Sequence, residues 1–288
     1  MKTGTDRVFI TECPRDAMQG IHDWIPTDLK VTYINQLLQC GFDRLDCGSF
    51  VSPKAIPQLK DTKEVLDRLS DKGATKLLTI VANERGAEEA IQFDQIDFLG
   101  YPFSISETFQ QRNTNASIEE SLKRVEVIQN LCIKSNKSLV LYLSMGFGNP
   151  YGDEWNAELV MNWSKRLYDA FSINELALSD TIGAATPALV EQLLTAIIPE
   201  LPQVKMGAHL HTLPQNAQAL VKAAYDGGCR YFDGAIKGYG GCPMAADDLT
   251  GNMPTEQMLN YFNQQGIETG IAQPAFEQAI IGSSSVFL

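Results

Sequence analysis

Residues 204–211 read VKMGAHLH: a short, near-continuous apolar run that ends in two histidines, His209 and His211, one residue apart. It is too short for a helix, and its even and odd positions are both apolar, the pattern of a strand buried on both faces of a parallel sheet. The pattern recurs. VFITE (8–12), FDRLDC (42–47), KLLTIV (76–81), IDFLGY (96–101), SLVLYLS (138–144), INELALS (173–179) and RYFDGAI (230–236) bring the total to eight. Between the runs lie segments of helical period, such as Leu29, Tyr33, Ile34, Leu37 and Leu38, or Ile118, Leu122, Val125, Ile128 and Leu131. Cap chemistry marks helix starts: Thr27 before Asp28, Ser117 three residues before Glu120, and Thr186 before Pro187. Eight alternating units in a chain of 288 residues predict an α/β protein with one closed (β/α)8 TIM barrel. The barrel is expected over about residues 8–265, with a short helical extension after it and one domain over 1–288. No GxGxxG or GxxxxGK loop follows a strand, which removes the main reason to expect an open dinucleotide-binding sheet.

Composition narrows the function classes. The 23 basic and 35 acidic residues give a formal charge of −12, which repels nucleic acid and anionic membranes at long range. A polyanionic small molecule would need a local basic patch. No apolar run approaches the ~20 residues that span a bilayer and no leader is evident, so a cytoplasmic protein is expected. Six scattered cysteines without a CxxC pair read as reduced thiols.

In a TIM barrel the reactive residues belong at the C-terminal ends of the strands. Glu12, Arg15 and Asp16 follow the first run, Asp46 and Ser49 close the second, and Asp180 and Thr181 close the sixth. His209 and His211 close the seventh, and Cys242 and Asn252 lie beyond the eighth. Residues two apart in a strand share a face, so both imidazoles can converge on one cation. Two histidines hydrogen-bonded within a loop are the plainer alternative. With Asp16 and an amide oxygen the donor set is mixed nitrogen and oxygen, which suits Mn²⁺, Co²⁺ or Zn²⁺ and tolerates Mg²⁺. Arg15 is either a member of a weak ion pair or a donor to an oxyanion, with Gln19 placed to orient it or the substrate. Cys242, in the glycine-rich stretch 238–243, is either inert or a thiol that acts when the loop closes.

TECPRDAMQ (11–19), SFVSPK (49–54), SDTIG (179–183), HLH (209–211), GGCP (240–243) and GN (251–252) occur together, in this order. From about residue 8 to 270 the chain resembles the 3-hydroxy-3-methylglutaryl-CoA lyases. The resemblance implies retro-Claisen cleavage of that thioester to acetyl-CoA and acetoacetate, a place in leucine and ketone-body metabolism, and a divalent cation, Mg²⁺ or Mn²⁺ first, with Co²⁺ or Zn²⁺ compatible. It implies Asp16, His209, His211 and Asn252 as metal ligands. Arg15, Asp16, His209, Cys242 and Glu256 would be catalytic or supporting groups, and Gln19, Asp46, Ser49 and Asp180 would line the substrate pocket. Lys54 would be a candidate for an anionic group of the acyl-CoA, or simply an exposed lysine. A homodimer is expected by analogy with other barrels. Four positions depart from the family pattern: Ala17 stands for glycine, Asp46 for glutamate, Ala177 for serine and Thr212 for aspartate. They are expected to touch the substrate shell. A Claisen-type synthase, sharing the RD and HxH elements, and a barrel that binds metal without catalysis are the alternative readings.

Overall fold

The computed structural model describes residues 6–241 and 250–287. Eight strands alternate with helices: β1 (Phe9–Glu12), β2 (Arg44–Ser49), β3 (Lys76–Ile80), β4 (Ile96–Ser104), β5 (Ser138–Ser144), β6 (Glu175–Asp180), β7 (Lys205–Leu210) and β8 (Tyr231–Gly234). All pairs are parallel, and β1 pairs with β8, so the sheet closes into a barrel in sequence order. The expected fold is observed. Closure leaves no sheet edge, and the helices cover the outer face, which is why the strands read as apolar runs rather than alternating ones.

The helices are α1 (Pro14–Gln19), α2 (Thr27–Leu38), α3 (Thr62–Asp67), α4 (Glu84–Ala90), α5 (Glu107–Thr114), α6 (Ile118–Lys134), α7 (Ala157–Phe171), α8 (Pro187–Glu200), α9 (Ala217–Asp226), α10 (Thr255–Gln264) and α11 (Gln273–Phe287). Ser117 caps α6 reciprocally: its Oγ accepts from Glu120 N at 3.1 Å and Glu120 Oε2 accepts from Ser117 N at 2.8 Å. Such a cap stabilises a helix by about 1 kcal/mol. Thr186 accepts from Leu189 N ahead of Pro187, as expected. Thr27 does otherwise. It is the first residue of α2, behind Pro26, and its hydroxyl donates to Asp61 Oδ2 at 2.8 Å instead of capping the helix.

The C-terminal extension is α11, which packs against α2 and the turn after β8. Phe276 meets Phe42 edge-on, Phe287 meets Tyr33 edge-on, and Phe287 also stacks on Tyr239 with ring centres 4.4 Å apart. Lys237 Nζ donates to Ser284 Oγ at 2.9 Å. No helix among the described residues is long and apolar enough to cross a membrane. The five described cysteines are free and buried.

Candidate active site

The short helix α1 leaves β1 with Pro14 at its first position and carries Arg15, Asp16 and Gln19 to the barrel mouth. Arg15 is buried and its guanidinium is gripped along both edges. Nε and Nη2 donate to Asp46 Oδ2 at 2.9 and 2.5 Å, while Nη1 donates to Asp16 Oδ1 and Gln19 Oε1, each at 2.9 Å. The ion pair with Asp16 is therefore no loose surface contact. Burial pushes the Asp46 carboxyl up to about 6 even beside Arg15, and the two acids hold the guanidinium firmly protonated.

Asp16 sits at the centre of the cluster. Gln19 Nε2 donates to its Oδ1, Asn252 Nδ2 donates to its Oδ2 at 2.8 Å, and His211 Nε2 lies 3.9 Å from that same oxygen. Burial alone would raise the carboxyl, but Arg15, the two imidazoles and the Asn252 amide outweigh it and hold the group down at about 2. That value suits a cation ligand better than a base. Asn252 is tied to His211 by a β-bridge, and its Nδ2 also donates to Tyr239 O at 2.8 Å, so Oδ1 is the atom of the amide with the lone pairs to offer a cation.

His209 and His211 leave β7 with ring centres 5.3 Å apart. Asp16, His209 and His211 bring one ligand atom each to within 4.8 Å of one another. His211 is fully enclosed, and neither ring nitrogen has a hydrogen-bond partner among the described residues. Burial, and His209 beside it, push this imidazole down to about 4, so it is neutral at pH 7. A buried polar group without a partner costs about 1–3 kcal/mol, and a cation seated between Asp16, His209 and His211 would satisfy it. The donor set fits a divalent metal.

A cavity of ≈ 150 Å³ opens over this cluster. Arg15, Asp16, Gln19, Ser49, His209 and His211 form its polar end, and Val51, Ile56, Ile80, Pro102, Phe109 and Tyr142 are among its apolar walls. Asn113, Thr114, Ser144, Ser179 and Thr181 also line it, so polar and apolar side chains share the wall.

The remaining sequence candidates fall in different places. Ser49 lines the cavity, with its Oγ accepting from Val51 N at 3.1 Å. Asp180 is not among the lining residues: its two oxygens accept from Ala184 N and Ala185 N at 2.9 and 2.8 Å, and burial pushes it up to about 6. Glu256 stands at the start of α10, where Oε2 accepts from Lys237 N at 2.9 Å and supports the turn after β8. Glu12 binds Ile236 N and the Thr255 hydroxyl at 2.8 and 2.6 Å, behind the barrel wall. Cys242 lies outside the described residues. The glycines before it do not: at Gly240 (φ +92°) a Cβ would lie 2.7 Å from Asp16 O and Ala17 Cα, so only glycine lets this strand of the loop press onto α1.

Two departures from the family pattern are not among the residues that line the cavity. Ala177 lines a separate cavity at the N-terminal ends of the strands, and Thr212 is buried beside Gly251, whose carbonyl accepts from Thr212 N at 2.8 Å. Ala17 and Asp46 are the two that touch the cluster. Two residues that local pattern did not single out also belong to the site. Tyr142 meets His209 edge-on across 5.4 Å, and Asp233 Oδ2 lies 3.1 Å from His209 Nδ1. The only signal for Asp233 was a lone acid inside an apolar strand.

Residues 8–279 match the HMGL-like family. This chain belongs to that family. It is similar to the hydroxymethylglutaryl-CoA lyase YngG of Bacillus subtilis, at 37% identity over 90% of this chain and 85% of the relative. The mitochondrial hydroxymethylglutaryl-CoA lyase of Mus musculus is 32% identical over 94% of this chain and 83% of its own length. Among solved structures, an HMG-CoA lyase from Acinetobacter baumannii in complex with coenzyme A and 3-methylmalate superposes with a TM-score of 0.91 at 30% identity, covering 100% of this chain and 93% of that one.

Proposed function

We propose that this HMGL-like chain is a divalent-metal-dependent lyase that cleaves 3-hydroxy-3-methylglutaryl-CoA into acetyl-CoA and acetoacetate. The observation that carries the reading is His211: a buried, neutral imidazole with both nitrogens unpartnered among the described residues, facing a depressed carboxylate and a second histidine. The names of the relatives agree with it.

A divalent cation held by Asp16, His209, His211 and Asn252 Oδ1 supplies Lewis acidity toward the oxygens of the hydroxy acid. The protein supplies the rest. The C3 hydroxyl gives its proton to His209 or Asp16 and C3 becomes the ketone carbon of acetoacetate; as the bond between C2 and C3 breaks, its electron pair becomes the enolate of the acetyl thioester. Arg15, locked in place by Asp46 and Gln19, donates to the enolate oxygen without having to reorganise. Cys242 protonates the enolate carbon. Glu256 and Glu12 support the chain on either side of the loop that bears this thiol. Ser49 and the apolar wall receive the acyl group, and Asp180 shapes the turn at 183–185 beside it. Lys54 is exposed and precedes the lining residues Ala55 and Ile56, which puts a positive charge at the mouth of an otherwise acidic protein, where the acyl-CoA phosphates would lie. The reading includes a cytoplasmic homodimer, the dimer by analogy with other barrels.

The test is acetoacetate release from 3-hydroxy-3-methylglutaryl-CoA after chelation and after adding back Mg²⁺ or Mn²⁺. Activity that disappears and returns is expected. No acetoacetate from the metal-loaded protein would refute the reading.

A further inference from the structure

Asp233 meets the cluster from inside the barrel. Residues His209 and Asp233 face each other in the β7–β8 register, and His209 Nδ1 lies 3.1 Å from Asp233 Oδ2, with the side chains 13% and 11% exposed. This is the one side-chain hydrogen bond Asp233 makes among the described residues. A carboxylate only accepts, and a neutral imidazole has one N–H to give. The contact therefore selects the tautomer with hydrogen on Nδ1, which leaves the lone pair on Nε2, the nitrogen not engaged by Asp233.

On its far side Asp233 lines a second cavity of ≈ 420 Å³ at the N-terminal ends of the strands, where Ala177 and Gly207 are too small to fill the space. Arg44, which lines the same cavity, is committed to Glu175. Cys13, His209 and Asp233 also bring ligand atoms within 4.8 Å of one another. Burial, with the acids around it, holds the Cys13 thiol well above its usual range.

We propose that Asp233 is the positioning residue of the cation site: it fixes the ring and the tautomer of His209 so that Nε2 is presented to a divalent cation alongside Asp16 and His211. Its partner His211 has no carboxylate at hydrogen-bond distance among the described residues, the Asp16 oxygen lying 3.9 Å from its Nε2. The inference depends on the cation reading given above, and the experiment separates the two.

The chain has three histidines, so their ring nitrogens can be resolved by ¹⁵N NMR on metal-free protein at about pH 8.5, above the usual imidazole range. Wild type should show His209 protonated on Nδ1. Asp233→Ala, and Asp233→Asn as the variant of similar volume whose amide can also donate, should lose that preference. Both should bind Mn²⁺ about 10–100-fold more weakly by calorimetry, the usual loss for a group behind a ligand histidine. Wild-type His209 protonated on Nε2 would overturn the proposal. So would variants, or Asp233→Asn alone if Asp233→Ala does not fold, that keep the Nδ1–H tautomer and Mn²⁺ affinity within about twofold of wild type. Wild type that shows the tautomer but binds no Mn²⁺ overturns the cation reading and, with it, the purpose assigned to Asp233, while its hold on His209 is measured separately.

Discussion

Arg15→Lys isolates what the guanidinium fork does. The native side chain spends its inner edge on Asp46, at 2.9 and 2.5 Å, and one nitrogen on Asp16 and Gln19, so its plane is fixed before substrate arrives. Lysine keeps the charge but carries its three donors on one compact nitrogen at the end of a flexible stem, without the fixed planar fork. One nitrogen cannot span Asp46 on one side and Asp16 and Gln19 on the other, so its donor to the enolate oxygen is not fixed in advance. Removing one donor from such an oxyanion site lowers kcat by about 10²–10³, or about 2.7–4 kcal/mol. Folding should suffer less than the about 3–5 kcal/mol that follows when a buried charge loses its partner, because Asp46 still faces a cation. The assay is kcat for acetoacetate release at saturating substrate and metal, beside a thermal melt and Mn²⁺ calorimetry. All four assigned ligands remain, so Mn²⁺ affinity should change by no more than about threefold, the contact with Asp16 being the route for what change there is. A kcat within about threefold of wild type would refute the argument and reduce Arg15 to a structural ion pair. So would a variant whose loss of activity is wholly explained by loss of metal.

Three further outcomes are expected. His209→Ala combined with His211→Ala should abolish binding of one Mn²⁺ per chain, and unchanged stoichiometry would sink the assignment of the site. Cys242→Ser should keep Mn²⁺ binding and lose most turnover, since a hydroxyl is a far weaker acid than a thiol; full activity would remove the proton-transfer role. Glu12 gives a stability test: burial pushes its carboxyl from 4.5 up to about 8, so the folded chain holds a proton that the unfolded chain has released. Its contribution is present below about 4.5 and is lost as pH rises toward about 8. Glu12→Gln should accordingly flatten the fall in unfolding free energy between pH 6.5 and 8 by up to about 1.4 kcal/mol per pH unit, and parallel curves for the two proteins would contradict this.

The barrel was legible because each strand is buried on both faces and each helix on one, and those two patterns differ in length and period. The ends of the strands were less so. β4 runs on to Ser104 through Pro102, where a local reading stops at the proline; Pro102 pairs with Tyr142 of β5 all the same, so the ladder tolerates the missing N–H. β8 ends at Gly234, two residues before the apolar run does, because Ala235 N and Ile236 N turn away to Met253 O and Glu12 Oε1. Thr27 has cap chemistry but follows Pro26, and Asp61, thirty-four residues away, takes its hydroxyl.

The site divides along the same line. That His209 and His211 share a face follows from the period of a strand, and that Arg15 and Asp16 stand near them follows from both elements ending at one rim. Which groups then touch is decided by closure of the barrel, a property of the whole sheet. β1 must lie beside β8 for Glu12 to reach Ile236, and β7 must lie beside β8 in one register for Asp233 to meet His209. A shift of that register by one residue would turn the Asp233 side chain to the helix side. The sequence around residue 233 is the same in either register; the long-range pairing alone makes its carboxylate part of the site. The same holds for Glu256 and Ala177, whose local contexts point to the substrate but whose neighbours, Lys237 N and the lower cavity, are set by where β8 and β6 fall in the ring. Residue type and spacing therefore select the chemistry, while the closed sheet selects which of several eligible acids performs it.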